Sequence, residues 1–196
     1  MTAKILVTGG AGFIGSEIVK QLSAHDEYEI RVLDALTKQI HGNNPEKSYL
    51  FQSIKDCCDF IRGDVRDFTT VQKALEGVDV VLHLAAETGT GQSMYMINQY
   101  NEVNVMGLSN IFQALSLKGK SNTIRKVILS SSRSVYGEGE YQCPNCGVVY
   151  PRGRKTKDMM QGDFTMHCDK CNTALTLMPT TEDSKTTPNS LYAFTK

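Results

Sequence analysis

Apolar residues along this chain gather into short β-branched runs, and between the runs they recur every three or four positions. Lys4–Thr8 is such a run and breaks into Gly9-Gly10-Ala11-Gly12. Residues 13–23 then carry Phe13, Ile14, Ile18, Val19 and Leu22, the spacing of one helix face. The same reading predicts further strands over residues 29–34, 59–63, 79–84 and 126–130, with helices over 69–76 and 97–118. Residues 37–56 read as polar and irregular, with a turn between Gly42 and Pro45. Strand, helix, strand at this cadence predicts an α/β fold, a Rossmann-like doubly wound parallel sheet covered on both faces. The rhythm breaks after Gly137, and residues 138–178 show little apolar periodicity before the pattern resumes. The expected division is therefore 1–137, an insert over 138–178, and a return to the first domain over 179–196.

Charge and composition narrow the class. The chain has 196 residues with 21 basic and 21 acidic side chains, so its scattered charges give no electrostatic case for nucleic acid or an anionic membrane surface. No apolar run is long enough to span a bilayer, and the N-terminus lacks a basic region followed by an apolar one. A cytoplasmic protein is the expectation. The six cysteines are unevenly placed: Cys143, Cys146, Cys168 and Cys171 form two C-x-x-C pairs, while Cys57 and Cys58 are adjacent and read as free thiols. In a cytosolic chain such paired knuckles favour a metal over disulfides. Four thiolates suit a tetrahedral structural zinc with no open position for water, so the insert is expected to be zinc-ribbon-like; bystander thiols and a redox pair are the competing readings. A metal would also compensate for the small core of a segment this short. His167, beside Cys168, and the basic run Arg152–Lys157 read as solvated, and His83 as a satisfied strand-end histidine.

Two constellations carry chemistry. Gly9, Gly12 and Gly15 lie between a predicted strand and a predicted helix, where they permit a tight turn and close approach of backbone N–H groups to a pyrophosphate. Asp34 closes the second predicted strand, where an acid accepts hydrogen bonds from ribose hydroxyls and repels a 2′-phosphate, which favours NAD over NADP. Farther on, Ser130-Ser131-Ser132-Arg133-Ser134-Val135-Tyr136-Gly137 follows the fifth predicted strand, and Tyr192-Ala193-Phe194-Thr195-Lys196 follows the insert. Tyrosine and lysine four apart share a helix face. An ammonium beside a phenol favours the phenolate, and a nearby serine hydroxyl can hydrogen-bond the same substrate oxygen. Such a set couples proton transfer to hydride transfer at a carbinol carbon.

Thr8–Gly15, Gly63-Asp64-Val65, His83-Leu84-Ala85-Ala86, Asn104-Val105-x-Gly107, Ser130–Gly137 and Tyr192–Lys196 together resemble the extended short-chain dehydrogenase/reductases, in that family's order. The resemblance implies Ser132, Tyr192 and Lys196 as catalytic residues, with Lys196 also holding the nicotinamide ribose. It implies cofactor contacts from Gly9, Gly12, Phe13, Ile14, Gly15, Asp34, Asp64, Val65, Leu84, Ala85, Ala86, Asn104, Tyr192 and Lys196. Substrate contacts fall to Glu87, Thr88, Ser132 and Arg133, whereas Met94 and Met96 read as packing residues. Where sugar-nucleotide 4,6-dehydratases carry an Asp-Glu pair after the serine, this chain has Arg133-Ser134, which argues against dehydration. The stretch Ala86–Tyr95 and the two-knuckle insert look most like the dTDP-L-rhamnose 4-epimerases. The resemblance thus implies NAD-dependent epimerisation at C4 of a dTDP- or UDP-linked sugar, in an intact enzyme that forms a homodimer. It also implies that a C-terminal substrate domain is absent here and that this N-terminal portion is inactive alone. A 4-ketoreductase or dehydrogenase, and a non-catalytic NAD- and zinc-binding module, are the alternative readings.

Overall fold

The computed structural model describes residues 2–196 and divides into two compact units, residues 2–88 with 96–130, and residues 89–95 with 131–196. In the first unit, β1 (Ala3–Thr8) leads through the glycine turn into α1 (Phe13–Ser23), followed by β2 (Tyr28–Asp34). The stretch expected to be irregular contains two short α-helical turns, α2 (Lys38–His41) and α3 (Tyr49–Gln52), with a 3₁₀ turn, Pro45–Lys47, between them. Four residues are too few to show a helical period, so their absence from the sequence reading is understandable. Then come β3 (Asp59–Arg62), α4 (Phe68–Ala74) and β4 (Val80–His83). After α5 (Thr90–Ser93), which belongs to the second unit, a helical run comprises α6 (Ile97–Tyr100), a π-helical stretch Asn101–Met106 and α7 (Gly107–Lys118), before β5 (Lys126–Leu129).

The five strands form one parallel sheet in the order β3-β2-β1-β4-β5, with Ile5 opposite both Ile30 and Val80. Neighbouring residues of β1 and β2 serve opposite faces. Leu6 and Leu33 join Val71, Leu75 and Ile111 in one core, under α4 and α7; Val7 and Val32 join Val19 and Ile54 in the other, under α1. Parallel strands buried on both faces explain the nearly continuous apolar runs. The chain order reverses between β1 and β4, and at such a switch point the loops leaving neighbouring strands diverge and open a crevice at the strands' carboxyl ends.

In the second unit, β6 (Tyr141–Cys143), β7 (Gly147–Val149) and β8 (Thr176–Leu177) make an antiparallel sheet in the order β7-β6-β8. A short helix, α8 (Thr156–Met160), lies between β7 and β8 in sequence, and α9 (Leu191–Phe194) comes last. The base of this segment is zipped: Thr187 donates its N–H to the Val135 carbonyl and its hydroxyl to the Tyr136 carbonyl, both at 2.9 Å. Gly137, at φ +61°, is required there, because a Cβ would sit 2.2 Å from the Thr187 carbonyl oxygen.

Candidate functional site

The glycine turn lies at the switch point, and its glycines have different physical duties. Gly9, at φ +69°, packs so closely on the strand leaving β4 that a Cβ would stand 2.7 Å from the Ala85 nitrogen. A Cβ on Gly15 would lie 2.3 Å from the Gly9 carbonyl oxygen. Both are glycines because the protein's own backbone fills the space. Gly12 differs: its hypothetical Cβ meets only the Gly9 oxygen at 3.2 Å, and its φ of −72° suits any residue. A methyl at 12 would need the Gly9 carbonyl to give by a few tenths of an ångström, far less than at 9 or 15, so this position leaves more room than those two for a ligand to approach the backbone at the start of an eleven-residue helix. Phe13 and Ile14, the first helical residues, are exposed although apolar.

Asp34 is tied into this turn. One carboxylate oxygen accepts the Ala11 N–H at 2.9 Å and the other the Leu36 N–H at 2.8 Å. The second bond holds Leu36 at φ +52°, a left-handed conformation in which its side chain is buried. Asp34 therefore braces the glycine turn, a duty that the sequence reading did not foresee; an ionised carboxylate retains lone pairs for ribose hydroxyls. Beyond β4, Leu84, Ala85 and Ala86 are half-buried beside the turn. His83 is buried with its Nδ1 2.7 Å from the Thr8 hydroxyl, as a satisfied strand-end histidine should be. Its partner Thr8 also accepts the Ala85 N–H at 3.3 Å, linking the two loops of the crevice.

Asn104, buried in the π-helical stretch, embraces one residue of the loop after β4. Its carbonyl oxygen accepts the Glu87 N–H at 2.8 Å and its amide donates to the Glu87 carbonyl at 3.2 Å. The Glu87 carboxylate accepts from Gln99 at 2.8 Å, and the exposed Thr88 offers its carbonyl to the Tyr100 hydroxyl. π-Helical stretches concentrate at functional sites, and here the irregular turn contains the residue that shapes this loop. After β3, Asp64 is gripped by the Arg66 guanidinium at 2.7 Å; burial opposes its ionised form, but Arg66 wins and holds it below the usual carboxylate range. Val65 is committed to the core, against Gly107.

The catalytic candidates lie in the second unit. Ser132 caps the turn Arg133–Tyr136, accepting the Ser134 N–H at 3.2 Å and donating to the Ser134 hydroxyl at 3.1 Å. Arg133 is exposed. Ser131 donates to the Lys196 carbonyl at 3.0 Å, and α9 packs on both the Ser132-capped turn and α5. Tyr192 and Lys196 are half-buried, and burial pulls the Lys196 ammonium below its ordinary pKa. Ser93 had no place in the sequence reading, yet its hydroxyl accepts the Tyr192 N–H at 3.0 Å. Met94 and Met96, expected to pack, are instead exposed.

The four knuckle cysteines converge, with all four sulfurs within 4.8 Å of one another. Cys171 lies 3.5 Å from Cys143 and 3.6 Å from Cys146. These are far longer than a disulfide, about 2.05 Å, and close to the roughly 3.8 Å edge of a tetrahedron with 2.3 Å metal–sulfur bonds. The donor set is thus soft, complete and of the right size for a metal ion. The Thr173 hydroxyl and N–H draw Cys171 down to about 6, while its hydrogen bond to Cys171 pushes Cys146 up to about 12. The basic run is exposed, as expected, and its side chains also pair locally: Arg154 donates to the Phe164 carbonyl at 2.7 Å and pairs with Glu138, and Lys155 bonds Asn172. Cys57 and Cys58 are free thiols, Cys58 pushed up to about 12 by burial.

Comparison with known proteins agrees with this geometry. Over 98% of its length the chain is 36% identical to dTDP-L-rhamnose 4-epimerase of Burkholderia thailandensis, and it covers 50% of that protein. It is 32% identical to UDP-glucose 4-epimerase of Streptomyces lividans over 71% of this chain and 39% of the relative. Among solved structures, UDP-glucuronic acid 4-epimerase from Bacillus cereus, in complex with UDP-glucuronic acid and NAD, matches with a TM-score of 0.69 at 26% identity. That match covers 98% of this chain and 48% of the other. UDP-N-acetylglucosamine 4-epimerase from Methanobrevibacter ruminantium M1 matches at 29% identity and a TM-score of 0.61, over 100% of this chain and 47% of the other. The chain thus spans about half the length of the first of these relatives. Residues 5–153 match the NAD dependent epimerase/dehydratase family, and the chain belongs to it.

Proposed function

We propose that this chain supplies the NAD-binding and proton-transfer residues of an enzyme that inverts C4 of a nucleotide-linked sugar through a transient 4-keto intermediate. The observation that carries the reading is the glycine turn at the switch point, closed by backbone at Gly9 and Gly15 but open at Gly12. NAD, when bound, would accept and return the C4 hydrogen with its electron pair. Backbone N–H groups at Gly12, Phe13 and Ile14 would face its pyrophosphate, and Asp34 its adenosine ribose. Asp64 and Val65 would flank the adenine, Leu84 to Ala86 would line the cofactor, and Asn104 would hold the Glu87 peptide in place. Tyr192 would take the proton from the C4 hydroxyl and later restore it, Ser132 would hydrogen-bond the same oxygen, and Lys196 would keep positive charge beside the phenol and bind the nicotinamide ribose. Glu87, Thr88 and Arg133 would meet the sugar nucleotide, dTDP- or UDP-linked.

Residues 138–178 would form a zinc ribbon, with Cys143, Cys146, Cys168 and Cys171 holding a structural ion. Identity to a dTDP-L-rhamnose 4-epimerase along nearly the whole chain supports the sugar assignment. Among the described residues no helix is long and apolar enough to cross a membrane, and a cytoplasmic homodimer fits that and the family. Replacing Tyr192 by Phe in the full-length protein tests the reading. NAD should stay bound while turnover of dTDP- or UDP-sugars falls by a factor on the order of 100 or more. Near-normal turnover would remove Tyr192 from the mechanism.

A further inference from the structure

We propose that Ser93 is a positioning residue for Tyr192, an inference that rests on reading Tyr192 as the proton-transfer group. The Ser93 side chain is fully buried, and its hydroxyl makes two bonds of opposite sense. It donates to the Thr90 carbonyl at 2.6 Å and accepts the Tyr192 N–H at 3.0 Å. The first bond fixes the rotation of the hydroxyl and so aims its lone pairs at Tyr192.

Tyr192 is the second residue of α9, where a helical N–H has no partner within its own helix. The neighbouring orphan is satisfied locally, since the Ser190 hydroxyl accepts the Ala193 N–H at 3.2 Å. The Tyr192 N–H is instead satisfied from 99 positions earlier in the chain. Where α9 begins, and therefore where the Tyr192 Cα stands, is set by these two serine caps and by packing against α5. The segment carrying Ser93 thus acts as a brace for the phenol, without touching the substrate.

The test is Ser93→Ala in the full-length protein, with Tyr192→Phe alongside. Removing the hydroxyl leaves the Tyr192 N–H without this acceptor and lets α9 settle differently. A small displacement of a reacting group lowers kcat by roughly 10- to 100-fold, while KM and NAD affinity change much less than kcat, since most of the groups assigned to cofactor and substrate lie outside α9. An unchanged kcat, or a fall matched by equal losses in NAD affinity and KM, overturns the proposal. Should Ser93→Ala fail to fold, Ser93→Cys, nearly isosteric and a poor acceptor, replaces it under the same two criteria. The control separates the two claims: if Tyr192→Phe retains turnover, the function assigned to Tyr192 is wrong. If Tyr192→Phe loses turnover and the Ser93 variant does not, only the brace is wrong.

Discussion

Alanine at Gly15 and alanine at Gly12 are the same chemical change three residues apart, and the structure predicts opposite consequences. At Gly15 the new methyl would stand 2.3 Å from the Gly9 oxygen, 2.7 Å from the Gly10 Cα and 2.9 Å from the Gly10 carbonyl carbon. All three are backbone atoms, so relief requires moving either the turn or the first turn of α1. Overpacking of this kind costs about 1–3 kcal/mol, and because the obstacle is backbone the upper half of that range applies. For a domain of this size, about 2–3 kcal/mol lowers Tm by roughly 4–12 °C. At Gly12 the methyl meets one oxygen at 3.2 Å in a backbone conformation open to any residue. The stability change there should stay under about 1 kcal/mol, the scale of losing glycine at a helix N-cap. That methyl would, however, occupy the space through which a pyrophosphate reaches the helix N-terminus. NAD should bind at least 10-fold more weakly, a loss of about 1.4 kcal/mol or more. Thermal unfolding without cofactor and calorimetric titration with NAD, on both full-length variants, separate the effects. Wild-type NAD affinity in Gly12→Ala, or wild-type stability in Gly15→Ala, would refute the division of labour among the glycines.

Three other predictions follow from individual contacts. Asp34→Asn keeps only one carbonyl acceptor for the two backbone N–H groups and removes the charge proposed to repel a 2′-phosphate. Titration should show NAD affinity falling about 10-fold, with discrimination against NADP shrinking; unchanged cofactor preference would discount Asp34. Cys143→Ser, or treatment with a strong chelator, should remove one zinc per chain and lower Tm without abolishing NAD binding. Full stability after chelation would eliminate the metal. For Lys196, burial places the folded-state pKa below the ordinary 10.5, so the ammonium proposed to assist Tyr192 is lost earlier than usual as pH rises. The alkaline limb of the kcat profile should lie below the normal lysine range and move upward in Lys196→Arg. Stability should increase with pH between the lowered and ordinary values, where the unfolded chain binds the extra proton. An alkaline limb that does not respond to Lys196→Arg would detach it from this lysine.

What the sequence disclosed, and what it hid, follows from range. The sheet and the glycine turn are local patterns: α1 runs from Phe13 to Ser23 as its apolar spacing predicts, and β2 ends at Asp34. The second role of Asp34 was hidden because it depends on Leu36 adopting a positive φ, which no propensity suggests for leucine. The helix over 97–118 was visible as a period, but not its π-helical interruption, which becomes meaningful only once Asn104 reaches the Glu87 peptide across the fold. The cysteine spacing anticipated that four sulfurs would meet, whereas strands of two or three residues such as β6 and β8 carry no readable alternation. Ser93 left no signal, since its partner is distant in sequence and the contact is to backbone rather than to a complementary side chain.

The most direct test of the central claim is the fate of the C4 hydrogen. The full-length protein, incubated with a dTDP- or UDP-sugar deuterated at C4, should yield a C4-inverted product that retains the deuterium, because the same hydrogen is taken and returned at that carbon. NMR of the product reads both the configuration and the label. Loss of deuterium to water during inversion, or turnover without inversion at C4, would contradict the account.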